Sequence, residues 1–408
     1  MQSKPNAKSG YLALLGPAVV AGVAYLDPGN VATNLTAGTH YGYLLLWVLV
    51  AANLVAWLVQ FLAAKLGLAS NKSLSRIMGE RLKSPIARFL YWLQAQLVAI
   101  ATDLAELIGG AVALNLLFGW PLLAGCVATA VVSTGLLYLK SRGRGKSFEY
   151  FIFGLIVLTS FGFISAITSW SPVATDFFAG LSPRLVDEES ALLALGILGA
   201  TIMPHAVYVH SALSRDRLGA LSNSLDNARL VRIIKWDVSF AMLIAGTVNI
   251  ALLVLGALVG IGDRSDDVIA TVFKEILSAG GATFAVLFAL ALLASGLAST
   301  SVGTYAGEVI FDGLLIKKSM PLVVRRLITL VPALLVLSLG MSATDVLVLS
   351  QVFLSFGIPF ALFPLIRLTS DSKLMGSLKN HIVTKVLGYA ITLALSGLNV
   401  WIVFQAFN

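Results

Sequence analysis

The sequence predicts an all-α polytopic membrane protein: eleven transmembrane helices built as two inverted five-helix repeats plus one extra helix. Three observations carry this. Of 408 residues, 58% are apolar and 12% charged, against roughly half and a quarter in soluble chains. The apolar residues fall into eleven runs, each near the roughly 20 residues that cross a bilayer as a helix. The first and sixth runs are both interrupted by proline beside polar residues, as expected of a five-helix unit used twice.

The spans are read at roughly 11–38, 42–68, 86–117, 121–139, 149–168, 190–213, 237–260, 283–311, 323–340, 344–366 and 382–406. None alternates as a barrel strand would. The first could pass for a signal peptide, but Asp27, Pro28 and Gly29 interrupt it and ten more spans follow, so it is read as retained. Between the fourth and fifth lie Lys140, Arg142, Arg144 and Lys146, which lack phosphate-loop spacing and read as a connection on the positive side. With the N-terminus cytoplasmic, all of the 28 Lys and Arg except Arg184, Arg264 and Lys274 fall inside, and the C-terminus is outside. The net charge of +8 therefore reports orientation, not nucleic acid. The division expected is residues 1–168 for the tail and first repeat, 169–366 for the second, and 367–408 for the loop and last helix.

Eleven spans leave no room for a soluble catalytic domain, which excludes most enzymes. The single Cys126 rules out an internal disulfide and cysteine metal motifs. No cofactor is expected.

The interruptions are the informative part. The first span reads Tyr25-Leu26-Asp27-Pro28-Gly29-Asn30-Val31 and the sixth Gly199-Ala200-Thr201-Ile202-Met203-Pro204-His205. In a continuous helix, Pro28 would leave the carbonyl of Ala24 without a donor and Pro204 that of Ala200. In hydrocarbon each such carbonyl needs a neighbouring helix, water or a cation. Asp27, Asn30, the Ala200 carbonyl and the Met203 sulfur form a mixed ligand set. Mg²⁺ and Ca²⁺ gain nothing from sulfur, whereas Mn²⁺, Fe²⁺, Co²⁺ and Cd²⁺ accept it, so Met203 reads as a selectivity element.

These residues resemble the signature pair of the Nramp (MntH-like divalent metal transporter) family: Asp27-Pro28-Gly29-Asn30 and Met203-Pro204-His205, with Val209-His210-Ser211, Thr304-Tyr305-Ala306-Gly307, Leu349-Ser350-Gln351-Val352 and Pro359-Phe360-Ala361. The resemblance implies a LeuT-like fold and proton-linked uptake of Mn²⁺, Fe²⁺ and related ions by alternating access across a prokaryotic plasma membrane. It also implies metal ligation by Asp27, Asn30, Ala200 and Met203, with Gln351 joining in the occluded state.

Asp103 and Glu106 lie three residues apart on one face of span three. Intramembrane acids default to function, and two so close make one a proton-carrier candidate. Pairing of Asp103 with Arg325 or Arg326 would leave Glu106 for proton exchange. His205 suits exchange near neutral pH. His210 lies about 140° further around the helix and shares no metal face with it; a helix contact is its competing reading. Neither fits HExxH, which removes a metalloprotease. Glu149, Asp237, Glu308 and Asp312 read as interfacial, and Ser295 to Ser301 as close helix packing. The partners expected are divalent transition-metal ions, protons and the lipid bilayer, with no nucleic acid, and the chain is expected to be a monomer. The rivals are a Mg²⁺ carrier, which gains nothing from sulfur, an amino-acid carrier, whose substrate carboxylate Asp27 would repel, and a pore, which needs no pair of broken helices.

Overall fold

The computed structural model describes residues 16–141, 145–218, 226–260, 267–315 and 321–406. Among them the chain is helical with no strand. The helices are α1 (Pro17–Gly22), α2 (Pro28–Tyr41), α3 (Leu46–Ser70), α4 (Leu74–Arg81), α5 (Pro85–Phe118), α6 (Leu122–Ser141), α7 (Gly145–Ala166), α8 (Ala174–Ala179), α9 (Glu188–Thr201), α10 (Pro204–Leu218), α11 (Asn227–Val259), α12 (Val268–Gly280), α13 (Ala282–Leu315), α14 (Leu322–Ser338), α15 (Ala343–Thr369), α16 (Ser372–Met375) and α17 (Ile382–Ala406).

Among the described residues, seven segments are long and apolar enough to cross a bilayer: α3, α5, the α9–α10 pair, α11, α13, α15 and α17. Shorter apolar stretches lie in α6, α7 and α14. With the broken α1–α2 pair these account for the eleven predicted spans. The helices α4, α8, α12 and α16 were not anticipated, because each is too short to register as a span.

Local chemistry sets the ends. Ser84 caps α5 through Ala87 N, followed by Pro85 at the first helical position, and Gly119 closes it in the left-handed region. Asp187 and Ser190 form a capping box at the start of α9.

The long helices pack in matched pairs. Span one (α2) lies on span seven (α11), as span six (α10) lies on span two (α3). Span three (α5) lies on span ten (α15), as span eight (α13) lies on span five (α7). Spans three and eight form the central contact, and α17 packs on α15 at the edge. Exchanging spans one to five with spans six to ten, in order, maps each of these pairings onto its partner, as a five-helix unit used twice requires. The breaks in spans one and six are thereby brought together in the interior.

One interfacial assignment is corrected. Asp237 of α11 is buried, and its carboxylate accepts from Gly16 N at 3.0 Å and Ala18 N at 2.9 Å. It satisfies the open N–H groups at the start of α1, which no sequence pattern links to a residue more than 200 positions away. The side chain of Glu149 lies outside the described residues.

Candidate metal site

Span one changes character at the predicted place. Val23–Leu26 is a turn of 3₁₀ helix, Asp27 is extended (φ −69°, ψ 161°), and α2 begins at Pro28. Asp27 is thus the N-cap of α2, its two carboxyl oxygens accepting from Gly29 N and Asn30 N at 3.1 Å each. The positive end of the helix dipole faces that carboxyl. In span six α9 ends at Thr201, Ile202 leaves helical geometry (φ −108°, ψ 50°), and α10 restarts at Pro204. The carbonyl end of α9, the negative end of its dipole, faces the same place.

Asn30 joins the two breaks. Its Nδ2 donates to Asp27 Oδ1 at 2.9 Å and to the Ala200 carbonyl at 2.8 Å. The carbonyl that Pro204 frees is therefore met by the other repeat, as a freed carbonyl in lipid must be. Gln351 of α15 approaches from the side, Nε2 lying 3.5 Å from Asp27 Oδ2 and donating to Ser350 Oγ at 3.1 Å. Glycines make room for it: a Cβ on Gly29 would overlap the Gln351 amide, and one on Gly199 would overlap its carbonyl. Asp27, Asn30, Ala200, Met203 and Gln351 are all fully buried. The Asn30 Oδ1 and Gln351 Oε1 atoms have no hydrogen-bond partner. Two amide oxygens without partners, beside a carboxyl and a helix-end carbonyl, leave this interior with unused acceptors, the chemistry of a cation site.

At the first break the freed carbonyls differ from expectation. Asn249 Nδ2 of α11 donates to the Tyr25 carbonyl at 3.1 Å, and Ser295 Oγ of α13 donates to that of Leu26. The 3₁₀ turn shifts the need for donors away from Ala24. Ser295, read as packing, is also a cap.

Asp103 pairs with Arg326 of α14, Nη1 to Oδ1 at 2.8 Å, with both groups buried. The guanidinium also reaches Thr134 at 3.1 Å and Thr304 at 3.4 Å. The side chain of Arg325 lies outside the described residues. Glu106 is fully buried against Gly303, and neither carboxyl oxygen has a hydrogen-bond partner. The Asp103–Arg326 pair lines a narrow cleft with Gln96, Gly307 and Thr329. The same three residues also border a cavity of about 140 Å³ between α5, α13 and α14.

The histidines point to different helices, as their angular separation predicts. His205 Nδ1 meets Thr102 Oγ1 of α5 at 3.3 Å; because that hydroxyl donates to the Val98 carbonyl, Nδ1 carries the proton and Nε2 is bare. His210 Nδ1 donates to Gln60 Oε1 of α3 at 2.7 Å, and Gln60 Nε2 donates to the Tyr25 hydroxyl. His210 thus makes the helix contact of its competing reading. Gln60, Tyr25, Thr102 and Asn249 were missed as partners; Gln60 and Asn249 are polar residues within apolar spans, and Thr102 and Tyr25 lie beside the acids Asp103 and Asp27, the signals that could have marked them.

The family model for natural resistance-associated macrophage protein-like (Nramp) chains matches residues 18–405. The chain is 50% identical over 391 residues to a divalent metal cation transporter MntH of Mycobacterium tuberculosis, covering 96% of this chain and 91% of that one. It is 43% identical over 396 residues to the MntH of Deinococcus radiodurans, covering 97% and 90%. The crystal structure of the Eremococcus coleocola manganese transporter, bound to an aromatic bis-isothiourea substituted compound, superposes with a TM-score of 0.86 at 32% identity, over 98% of this chain and 88% of that one. Mhp1, a nucleobase-cation-symport-1 family transporter, superposes with a TM-score of 0.59 at 14% identity, over 91% and 81%, and shows the shared LeuT-like fold alone.

Proposed function

The chain belongs to the Nramp family of metal transporters, and on that premise we propose that it imports Mn²⁺ and Fe²⁺, and also Co²⁺ and Cd²⁺, together with protons, by alternating access. The observation that carries this is the Asn30 amide, which ties the Asp27 carboxyl to the Ala200 carbonyl while its own oxygen stays bare. Asp27 supplies the charge, Asn30 and Ala200 neutral oxygens, Met203 a soft sulfur that disfavours Mg²⁺ and Ca²⁺, and Gln351 a further oxygen on occlusion.

Proton movement is assigned to Glu106 and His205. A buried carboxyl without donors is a place for an exchangeable proton, not for a standing charge. The bare Nε2 of His205, one residue from Pro204, can take up a proton when the metal site empties or fills. Arg326 holds Asp103 in a buried ion pair as the fixed point of the route, and His210 ties α10 to α3. The proposed setting is the plasma membrane of a prokaryote, N-terminus inside and C-terminus outside, with a monomer as the working unit. The proposed repeats are 1–168 and 169–366, followed by 367–408.

Mn²⁺ uptake into proteoliposomes carrying a luminal pH dye tests this reading. Uptake with luminal acidification is expected; uptake at unchanged pH would remove proton coupling, and no uptake would remove the function.

A further inference from the structure

Lys65 lies in the penultimate turn of α3, yet it is only 7% exposed. Its Nζ donates at 2.6 Å to Asn380 Oδ1, a neutral acceptor in the connection between α15 and α17. Asn380 is itself fixed, donating through Nδ2 to Thr369 Oγ1 at 2.7 Å and through its backbone N to the Thr369 carbonyl at 2.9 Å. The same ammonium lies 5.4 Å from the Phe61 ring centroid, and Lys235 Nζ of α11 lies 5.9 Å from that centroid. Two cations therefore converge on one ring, and among the described residues neither forms an ion pair with a carboxylate. A ring face attracts each cation only weakly, and the two repel one another.

The surroundings indicate what completes the cluster. Leu54, Phe61 and Lys65 fall within about 40° of one another around α3, and Leu54 is 67% exposed. On α11 the exposed side chains Trp236, Phe240 and Leu243 follow at helical spacing. Trp57 stacks on Phe61 and donates through Nε1 to Ser239 Oγ at 2.9 Å, bracing α3 against α11. An exposed apolar strip thus runs up to two ammonium groups that, among the described residues, have no carboxylate partner. A free anion would have no use for the strip.

We propose that α3, α11 and the Asn380 connection form a binding site for the phosphate of an anionic membrane lipid, its acyl chains lying along Leu54, Phe240 and Leu243. Basic pockets between spanning helices recognise lipid phosphates in this way, and the lysine stems cover apolar surface while their heads meet the phosphate.

Native mass spectrometry of the purified chain tests it, with phosphatidylglycerol, phosphatidylethanolamine and inorganic phosphate as probes. Wild type is expected to retain phosphatidylglycerol in preference to phosphatidylethanolamine. Lys65→Gln with Lys235→Gln should weaken that binding roughly 25-fold, about fivefold for each charge lost. Lys65→Arg with Lys235→Arg should keep it. Should the double Gln variant fail to fold, the exposed Lys235→Gln alone carries the test, with about a fivefold loss. Equal phosphatidylglycerol binding in wild type and Gln variants, or no preference over phosphatidylethanolamine, would overturn the proposal. Displacement of the lipid by equimolar inorganic phosphate would overturn the lipid as the occupant.

Discussion

Replacing Asn30 by alanine removes a side chain that hydrogen-bonds both helix breaks. The lost bond to Asp27 Oδ1, 2.9 Å long, ends on a carboxyl oxygen; bonds to charged groups contribute about 1.5–3 kcal/mol. The lost bond to the Ala200 carbonyl, 2.8 Å long, leaves a fully buried acceptor without a partner, at about 1–3 kcal/mol. Asp27 keeps its two backbone donors, Gly29 N and Asn30 N, so the losses overlap and the metal-free protein should be destabilised by about 2–4 kcal/mol. Metal binding also loses the Asn30 oxygen and the positioning of Asp27. Disturbing such supporting contacts typically costs 10–100-fold in affinity. Isothermal titration with Mn²⁺ reads the second effect, and thermal unfolding without metal reads the first. A dissociation constant within about twofold of wild type, with unchanged unfolding, would refute the bridge. Asn30→Asp sharpens the test, because it restores an oxygen ligand but no N–H, so affinity should recover while the loss of metal-free stability remains.

Three further outcomes are expected. Met203→Ala should leave Mn²⁺ uptake measurable but let Ca²⁺ or Mg²⁺ compete more strongly in a liposome assay; unchanged selectivity would remove the sulfur's role. Arg326→Ala should destabilise the chain by about 3–5 kcal/mol in denaturant unfolding, since it strands the buried Asp103 carboxylate, and a loss under about 1 kcal/mol would mean the pair is not held as described. On the surface, the Lys72 ammonium, with Arg76 beside it, holds the Glu80 carboxyl below its usual range, and the Arg81 guanidinium does the same for Asp371. Both groups titrate lower in the folded chain, so their stabilisation is complete above the unfolded values near pH 4 and is lost as pH falls through the depressed folded values. Limited proteolysis of α4 should be flat from about pH 8 to 5 and quicken only below about pH 4; a change in the upper window would contradict this.

Most of the fold was legible because lipid makes the rule simple. Apolar runs of the right length gave the spans, the placement of Lys and Arg suggested a direction, and prolines beside polar groups at Asp27 and Met203 marked the breaks. Asp103 was legible as half of an ion pair, but the sequence offered Arg325 and Arg326 equally, because a span's periodicity does not fix how it is rotated against its neighbours. Gln60, Thr102, Asn249 and Ser295 were not legible as partners. Each meets a group on a helix far off in the chain, and nothing in a span's own periodicity says which neighbour a single polar side chain will face. The Ala24 expectation failed for a local reason: it assumed ideal helix up to Pro28, whereas the chain tightens into 3₁₀ geometry one turn earlier.

The most direct measurement is a Mn²⁺ binding isotherm of the purified chain beside that of Asp27→Ala. A saturable isotherm in wild type and none in the variant, with both unfolding cooperatively without metal, is the result expected if the two broken helices form one metal site. An intact isotherm in Asp27→Ala would contradict it.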